Sequence, residues 1–231
     1  MVHIMSDRTA AQKERLQTVE REMEIPPLGL RGTLSVPASA HSLVVFVHGS
    51  GSSRLSPRNV AVAEELNRHA IATLLFDLLT SAEEADRSNV FNIPLLARRL
   101  VDVIRWTEKN PALAPLPLGL FGASTGAAAA LVGAATEPRR VRAIVSRGGR
   151  PDLAGAALEE VMAPTLLIVG GADYGVIELN EGAFQRLKCP KALQIVPGAT
   201  HLFEEPGAMQ LVTDHAARWF EKHLSTRETK G

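Results

Sequence analysis

The sequence predicts one α/β domain in which a doubly wound, mostly parallel sheet carries helices on both faces. Three observations predict this fold. Short apolar runs alternate with helical segments, the runs are apolar on both faces as buried parallel strands are, and a chain of 231 residues suits one domain. We expect the domain to span 18–224, with polar tails at 1–17 and 225–231.

The predicted elements follow one another along the chain. Two alternating segments, 19–25 and 30–36, flank a stretch with two prolines and a glycine, which predicts an N-terminal β-hairpin at a sheet edge. Six apolar runs predict the other strands: 43–47, 71–76, 116–121, 141–145, 165–169 and 192–196. Apolar residues at helical spacing predict a helix that Asn92 caps and a last helix over 207–224.

Composition and charge narrow the classes of function. Lys plus Arg and Asp plus Glu both total 25, whereas proteins that bind nucleic acids or membrane surfaces normally carry a basic excess. The longest apolar run, 127–135, is half as long as a spanning helix requires, and residues 1–17 lack the apolar stretch of a secretory signal. Cys189 is the only cysteine, which excludes an internal disulfide. We expect a soluble, cytoplasmic protein without nucleic-acid or membrane partners.

A nucleophile motif follows the run 116–121. Residues 122–126 read Gly-Ala-Ser-Thr-Gly, a G-x-S-x-G pattern between a predicted strand and a predicted helix. The two glycines allow a sharp turn that projects the hydroxyl of Ser124 above the sheet at a helix N-terminus. This context favours a nucleophile over a serine that only caps the helix.

An acid and a base follow the last two apolar runs. Asp173 and His201 each come after a predicted strand, so we expect them at the same edge of the sheet as Ser124. The order Ser124, Asp173, His201 is the one expected with such a nucleophile turn. Asp152 is a competing acid, although its place after Pro151 also suits a helix cap.

The loop after the run 43–47 is the predicted oxyanion hole. Its glycines allow the backbone N–H of Ser50 to point into the site, where it and the N–H of Thr125 can stabilise an oxyanion. His48 precedes the glycine turn at a strand end. We expect its imidazole to hold this loop by hydrogen bonds and not to act as the base.

Further candidates for contact with the substrate lie near the strand ends. They are Arg54, Arg58, Arg147, Arg150 and Tyr174. The planar fork of a guanidinium can pair with a substrate carboxylate. The alternative is that these arginines are solvated charges or loop anchors.

These segments together resemble the α/β-hydrolase superfamily, and within it the dienelactone-hydrolase-related branch of small enzymes without a large lid. The resemblance covers 30–224 and rests on the segments 48–54, 75–80, 122–126, 146–150 and 198–203. It implies hydrolysis of a carboxylic ester or lactone. The name-giving enzymes use a cysteine nucleophile where this chain has Ser124, which argues against dienelactone itself as the substrate.

The mechanism we expect uses Ser124, His201 and Asp173 and requires neither a metal nor an organic cofactor. The short connections 77–94 and 145–165 leave no room for a long lid, so small soluble esters are expected. Two alternatives remain open. One is acyl transfer to an acceptor other than water, including perhydrolysis; the other is a non-catalytic ligand-binding protein on a hydrolase scaffold.

Overall fold

The computed structural model describes residues 18–225, so the predicted tails lie outside the described residues except for Ser225. Its strands are β1 (Thr18–Ile25), β2 (Leu30–Pro37), β3 (Ser42–Val47), β4 (Ile71–Phe76), β5 (Leu118–Ala123), β6 (Val141–Arg147), β7 (Thr165–Gly170) and β8 (Lys191–Val196). Its helices are α1 (Pro57–Arg68), α2 (Ser81–Glu84), α3 (Ile93–Lys109), α4 (Thr125–Thr136), α5 (Tyr174–Arg186) and α6 (Ala208–Leu224). Two 3-10 segments lie at Arg87–Phe91 and Pro151–Glu160.

All eight strands form one sheet in the order β1-β2-β4-β3-β5-β6-β7-β8. Strands β3 to β8 run parallel to one another. The hairpin of β1 and β2 is antiparallel and joins the sheet through an antiparallel pairing of β2 with β4. The predicted sheet, with its hairpin at one edge, is therefore confirmed.

The core lies on both faces of the sheet. Every residue of β3, β4, β5 and β7 is buried. One face packs against α3 and α4, and the other packs against α1 and α6. Burial on both faces explains why these strands read as continuous apolar runs and not as alternating ones.

Strand β5 differs from the predicted run 116–121, since it begins two residues later and continues to Ala123. Pro117 accounts for the late start. Its carbonyl accepts a hydrogen bond from the N–H of Leu43 at 2.9 Å, but a proline has no N–H with which to extend the ladder. The later end places the serine of the predicted motif directly after the strand.

The connections near the carboxyl ends of the strands are short. Between β4 and α3 the chain holds only α2, of four residues, and a 3-10 segment of five residues. Asn92 accepts a hydrogen bond from the N–H of Leu95 and so caps α3, as the sequence predicts. Among the helices within 18–225, none combines the length and the hydropathy that a membrane crossing requires.

Candidate active site

Ser124 occupies a sharp turn between β5 and α4. Its φ is 51° and its ψ is −125°, and a positive φ is energetically unfavourable for any residue with a side chain. Within the described range the Ser124 side chain makes no capping hydrogen bond to α4. The backbone therefore holds the hydroxyl out from the helix, as a nucleophile requires and a capping serine does not.

The glycines of the motif are required because backbone segments pass very close to them. A Cβ on Gly126 would overlap the carbonyl oxygens of Val47 and His48, and a Cβ on Gly122 would lie 2.5 Å from the Cα of Ala127. These neighbours are backbone atoms and cannot rotate away. The close approach is what brings the start of α4 against the end of β3.

We expect Gly126→Ala to destabilise the protein by about 3 kcal/mol or to prevent its folding, because the added methyl group has no space. Thermal unfolding of the purified variant measures the effect. Gly182→Ala is the matched control in the interior of α5, where an added Cβ meets no described atom within 4 Å. The control should be slightly more stable than wild type, since alanine favours helix over glycine by up to about 1 kcal/mol. An unfolding temperature of Gly126→Ala equal to that of wild type would contradict this assignment.

Asp173 and His201 meet in the loops that follow β7 and β8. The Nδ1 of His201 lies 2.7 Å from the Oδ2 of Asp173. This contact favours the tautomer in which Nδ1 carries the proton, which leaves Nε2 able to accept one. The competing acid, Asp152, instead receives two hydrogen bonds from Arg150, at 2.9 and 2.8 Å.

Ser124 and His201 line the same cavity, whose volume is about 230 Å³. We call this cavity the cationic chamber; its other lining residues are Gly49, Ser50, Ser52, Ser56, Arg58, Ala123, Arg147, Gly148 and Leu202. The structure thus brings the predicted nucleophile and the predicted base to one cavity, with Asp173 behind the histidine.

The predicted oxyanion loop contains a contact that the sequence did not suggest. The N–H of Ser50 donates to the hydroxyl oxygen of Thr125 at 2.9 Å. The N–H of Thr125 itself is at the first turn of α4, where helix geometry supplies no partner. The Ser50 donor is therefore available to a substrate oxygen only when the Thr125 hydroxyl shares or releases it.

His48 holds the same loop in place. It is 8% exposed; its Nδ1 donates to the carbonyl of Gly49 at 3.0 Å, and its Nε2 accepts from the N–H of Leu78 at 3.1 Å. Burial lowers the pKa of His48, and the hydrogen bond to Gly49 offsets this only in part. A neutral imidazole with both nitrogens engaged has no free nitrogen for a substrate proton, so its role is to support the loop.

Arg54 acts as an anchor for the segment after β3. Its guanidinium pairs with Asp77 at 2.9 Å and with Glu22 at 3.1 Å, and its backbone N–H donates to Asp77 at 2.8 Å. Both carboxylates come from other parts of the chain, at the end of β4 and in β1. Of its two proposed roles, the structure therefore supports the loop anchor and not the substrate contact.

The side chains of Arg150 and Tyr174 are also not placed to contact a substrate. The guanidinium of Arg150 is engaged by Asp152, while its backbone N–H donates to the carbonyl of Ser124 at 3.0 Å and so supports the turn. Tyr174, the first residue of α5, is 75% exposed. As far as residues 18–225 define it, the lining of the cationic chamber includes neither side chain.

Arg147, at the end of β6, differs from the other arginines. It is 7% exposed, and its Nη2 donates to Asn59 at 3.3 Å, while its Nε has no hydrogen-bond partner among the described residues. Burial, and then the nearby charge of Arg58, lower the pKa of Arg147 to about 10, so it remains charged at neutral pH. Arg58 pairs with Glu204 at 3.3 Å. A buried cation that has no carboxylate partner within residues 18–225 favours an anion in the chamber.

A second cavity, of about 450 Å³, also borders the loop 49–52. We call it the apolar chamber; its lining residues are His48, Gly49, Ser50, Gly51, Ser52, Leu78, Leu79, Glu84, Arg87, Val90, Phe91 and Leu96. Three of these, Gly49, Ser50 and Ser52, also line the cationic chamber. The two chambers therefore meet at the predicted oxyanion loop.

The sequence pattern predicts no function for Asn59, for the hydroxyl of Thr125 or for the wall of the apolar chamber. A signal existed for the wall, because Leu78 and Leu79 directly follow a predicted strand end. No comparable signal marks Asn59. It lies within α1, and only the packing of this helix against the sheet brings it beside Arg147.

The sheet and the turn at Ser124 together define the α/β-hydrolase class. Comparison with known sequences narrows that class, since the profile of the dienelactone hydrolase family matches residues 64–228. The chain belongs to the dienelactone hydrolase family. The crystal structure of a dienelactone hydrolase from Anabaena variabilis is 51% identical, with a TM-score of 0.87 over 90% of this chain and 99% of that chain.

Two further comparisons define the limits of this assignment. Est1E from Butyrivibrio proteoclasticus has a TM-score of 0.73 over 88% of this chain and 98% of that chain, but at 17% identity it shows the shared fold alone. A Mycobacterium tuberculosis protein with the provisional name phosphoribosyl transferase is 55% identical over 215 residues, which are 93% of this chain and 48% of that protein. The chain thus spans about half the length of the curated relatives it matches.

Proposed function

We propose that this chain is a serine hydrolase that cleaves small carboxylic esters or lactones through an acyl-enzyme intermediate. The observation that carries the proposal is the Asp173–His201 contact at 2.7 Å beside a cavity that Ser124 also lines. Membership of the dienelactone hydrolase family supports a hydrolase. The strained backbone at Ser124 gives further support, since such strain is kept where a function requires it.

In the acylation step, the Oγ of Ser124 attacks the substrate carbonyl while the Nε2 of His201 takes the serine proton. Asp173 accepts the hydrogen bond from Nδ1 and stabilises the imidazolium. The N–H groups of Thr125 and Ser50 donate to the oxyanion. Because the N–H of Ser50 also donates to the Thr125 hydroxyl, this hydroxyl must share or release it. His201 then gives the proton to the departing alcohol, and in deacylation it activates the water that releases the acid.

The provisional name of the Mycobacterium tuberculosis relative describes a protein about twice as long as the segment that this chain matches. We propose the hydrolase function for the matched segment, because a match over 93% of this chain includes Asp173 and His201, and the family profile covers residues 64–228. Acyl transfer to another acceptor uses the same three side chains. Supplying an alcohol or hydrogen peroxide during turnover and measuring the fraction of acyl product that it captures separates transfer from hydrolysis.

A covalent label tests the nucleophile directly. A fluorophosphonate probe should add to the Oγ of Ser124, and mass spectrometry of the digested protein should find the adduct on the peptide that contains residues 122–126. Ser53 is an internal reference, because it lies in the segment after β3 and lines neither chamber as described by residues 18–225. An adduct on another residue, or none at all, would contradict the proposal.

We expect the enzyme to act on dissolved esters and to show no activation at an oil surface. The reason is structural: only α2 and a 3-10 segment stand between β4 and α3, so a long lid is lacking in this connection. The measurement compares kcat/KM for acetate, hexanoate and palmitate esters of p-nitrophenol, below and above their solubility limits. A preference for palmitate, or a jump in rate when the ester forms a separate phase, would refute this expectation.

The substrate is also expected to carry an anionic group, and Arg147 is the residue that would hold it. Its guanidinium is buried and charged and lacks a carboxylate partner among residues 18–225. Arg54 is the natural comparison, because its two carboxylate partners already neutralise it. The position of this anionic group within the substrate follows from the two chambers.

A further inference from the structure

We infer that the substrate is an ester of an apolar acid with an alcohol that bears an anionic group, such as a carboxylate or a phosphate. The inference rests on the serine-hydrolase function proposed above and specifies its substrate. It is based on the two chambers of unlike chemistry that meet at the loop 49–52. One chamber holds the alcohol and the other holds the acyl group.

The apolar chamber suits a hydrocarbon group. Leu78 and Leu79 form its buried wall at 1% and 6% exposure, while Phe91 is 64% exposed. Its charged residues, Glu84 and Arg87, are both exposed and opposite in sign. The chamber thus offers apolar surface and no net charge that would hold an ion.

The cationic chamber suits an anion. Arg147 and Arg58 both line it, and no acidic residue lines it within the described part of the chain. Arg58 is shared with Glu204 at 3.3 Å, so the charge available to an anion comes first from Arg147. Asn59 holds the Nη2 of Arg147 at 3.3 Å, and the Nε atoms of both arginines have no hydrogen-bond partner among the described residues. Oxygen atoms of a carboxylate or a phosphate are the groups that guanidinium N–H donors bind best.

The position of His201 decides which half of the ester enters which chamber. The protonated imidazole must donate to the oxygen of the departing alcohol, and His201 lines the cationic chamber. The residues lining the apolar chamber, within the described range, include neither His201 nor Ser124. The alcohol therefore departs through the cationic chamber, and the acyl group extends past Ser50 into the apolar chamber.

A pair of isomeric esters tests this arrangement. In para-hexanoyloxybenzoate the acyl group is apolar and the phenol carries the carboxylate. Its isomer monophenyl pimelate carries the carboxylate on the acyl group instead. Phenyl hexanoate is the neutral reference, and para-hexanoyloxyphenyl phosphate distinguishes phosphate from carboxylate on the alcohol. Each rate is divided by the rate of hydroxide-catalysed hydrolysis, to remove differences in intrinsic reactivity.

We expect kcat/KM for para-hexanoyloxybenzoate or for the phosphate ester to exceed that of monophenyl pimelate by about ten- to one-hundredfold. Arg147→Gln should reduce this ratio to about threefold or less. Arg58→Gln, at a partly exposed position, should also reduce this ratio. It replaces Arg147→Gln in the test if that variant does not fold. Arg142→Gln is the matched control on an exposed position of the same strand and should keep the ratio.

A separate substitution tests the apolar chamber. Phe91→Ser should lower the preference for hexanoyl over acetyl esters by about three- to tenfold, because apolar surface is lost. Met162→Ser changes a similarly exposed side chain outside both chambers. This variant should keep the wild-type preference for hexanoyl over acetyl esters. A preference for monophenyl pimelate, or a preference that the arginine and Phe91 variants leave unchanged, overturns the inference. If none of the four esters is hydrolysed and fluorophosphonate fails to label Ser124, the proposed function fails and the inference fails with it.

Discussion

Ser124→Ala should abolish ester hydrolysis while the protein remains folded. The expected loss in kcat is about 10⁴-fold or more, because without the hydroxyl no acyl-enzyme can form and the other members of a triad contribute little alone. Folding should be unaffected, since alanine tolerates the φ of 51° at this turn no worse than serine does. The comparison is made with p-nitrophenyl acetate on purified wild type and variant, with circular dichroism and thermal unfolding alongside.

The control for this substitution is Ser53→Ala. Ser53 lies in the loop after β3, and the one hydrogen bond of its hydroxyl among the described residues is a local one, accepted from the N–H of Leu55 at 3.2 Å. Its replacement should change kcat/KM by less than about threefold, because within residues 18–225 Ser53 lines neither chamber and the substitution removes one local hydrogen bond. Activity of Ser124→Ala within about tenfold of wild type, in protein free of contaminating esterase, would show that another residue is the nucleophile.

His201→Ala should lose about as much activity as Ser124→Ala, because the two side chains act as a unit. The double variant with both Ser124→Ala and His201→Ala should be no less active than either single variant. Asp173→Asn should lose somewhat less, since the asparagine oxygen can still accept from Nδ1 but no longer carries the charge that stabilises the imidazolium. Additive losses in the double variant would mean that the serine and the histidine act independently.

The competing acid and the other histidines provide the controls for this second prediction. Asp152→Asn should lose much less, because Asp152 is bound to Arg150 and not to His201. His48→Ala and His215→Ala should likewise lose much less activity than His201→Ala. If a folded His48→Ala variant were as inactive as His201→Ala, the assignment of the base would be wrong.

The fold was predictable because its signals are local. A strand covered on both faces must be apolar at every position, and a helix on such a sheet must be apolar every third or fourth residue, so the order of elements can be read along the chain. The main error, the start of β5, concerns Pro117. The run of apolar residues continues through it, whereas the hydrogen-bonded ladder does not.

The candidate site was predictable for a topological reason. In a parallel sheet the carboxyl ends of all strands lie at one edge, so residues that follow different strands converge there whatever their separation in sequence. This rule places Ser124, Asp173 and His201 at one edge, but it does so equally for Asp152. The contact of Asp173 with His201 and of Asp152 with Arg150 depends on where each loop lies.

The sequence by itself determined the sheet, the strand–turn–helix that carries Ser124, and the order in which Asp173 and His201 reach the same edge. Only the tertiary structure decided which arginine is paired with carboxylates and which lines the cationic chamber. Arg54 follows β3 and Arg147 ends β6, yet Arg54 pairs with Glu22 and Asp77, while Arg147 is buried beside Asn59 and Arg58. An ion pair depends on the distance between groups brought together by folding, and sequence order does not specify that distance.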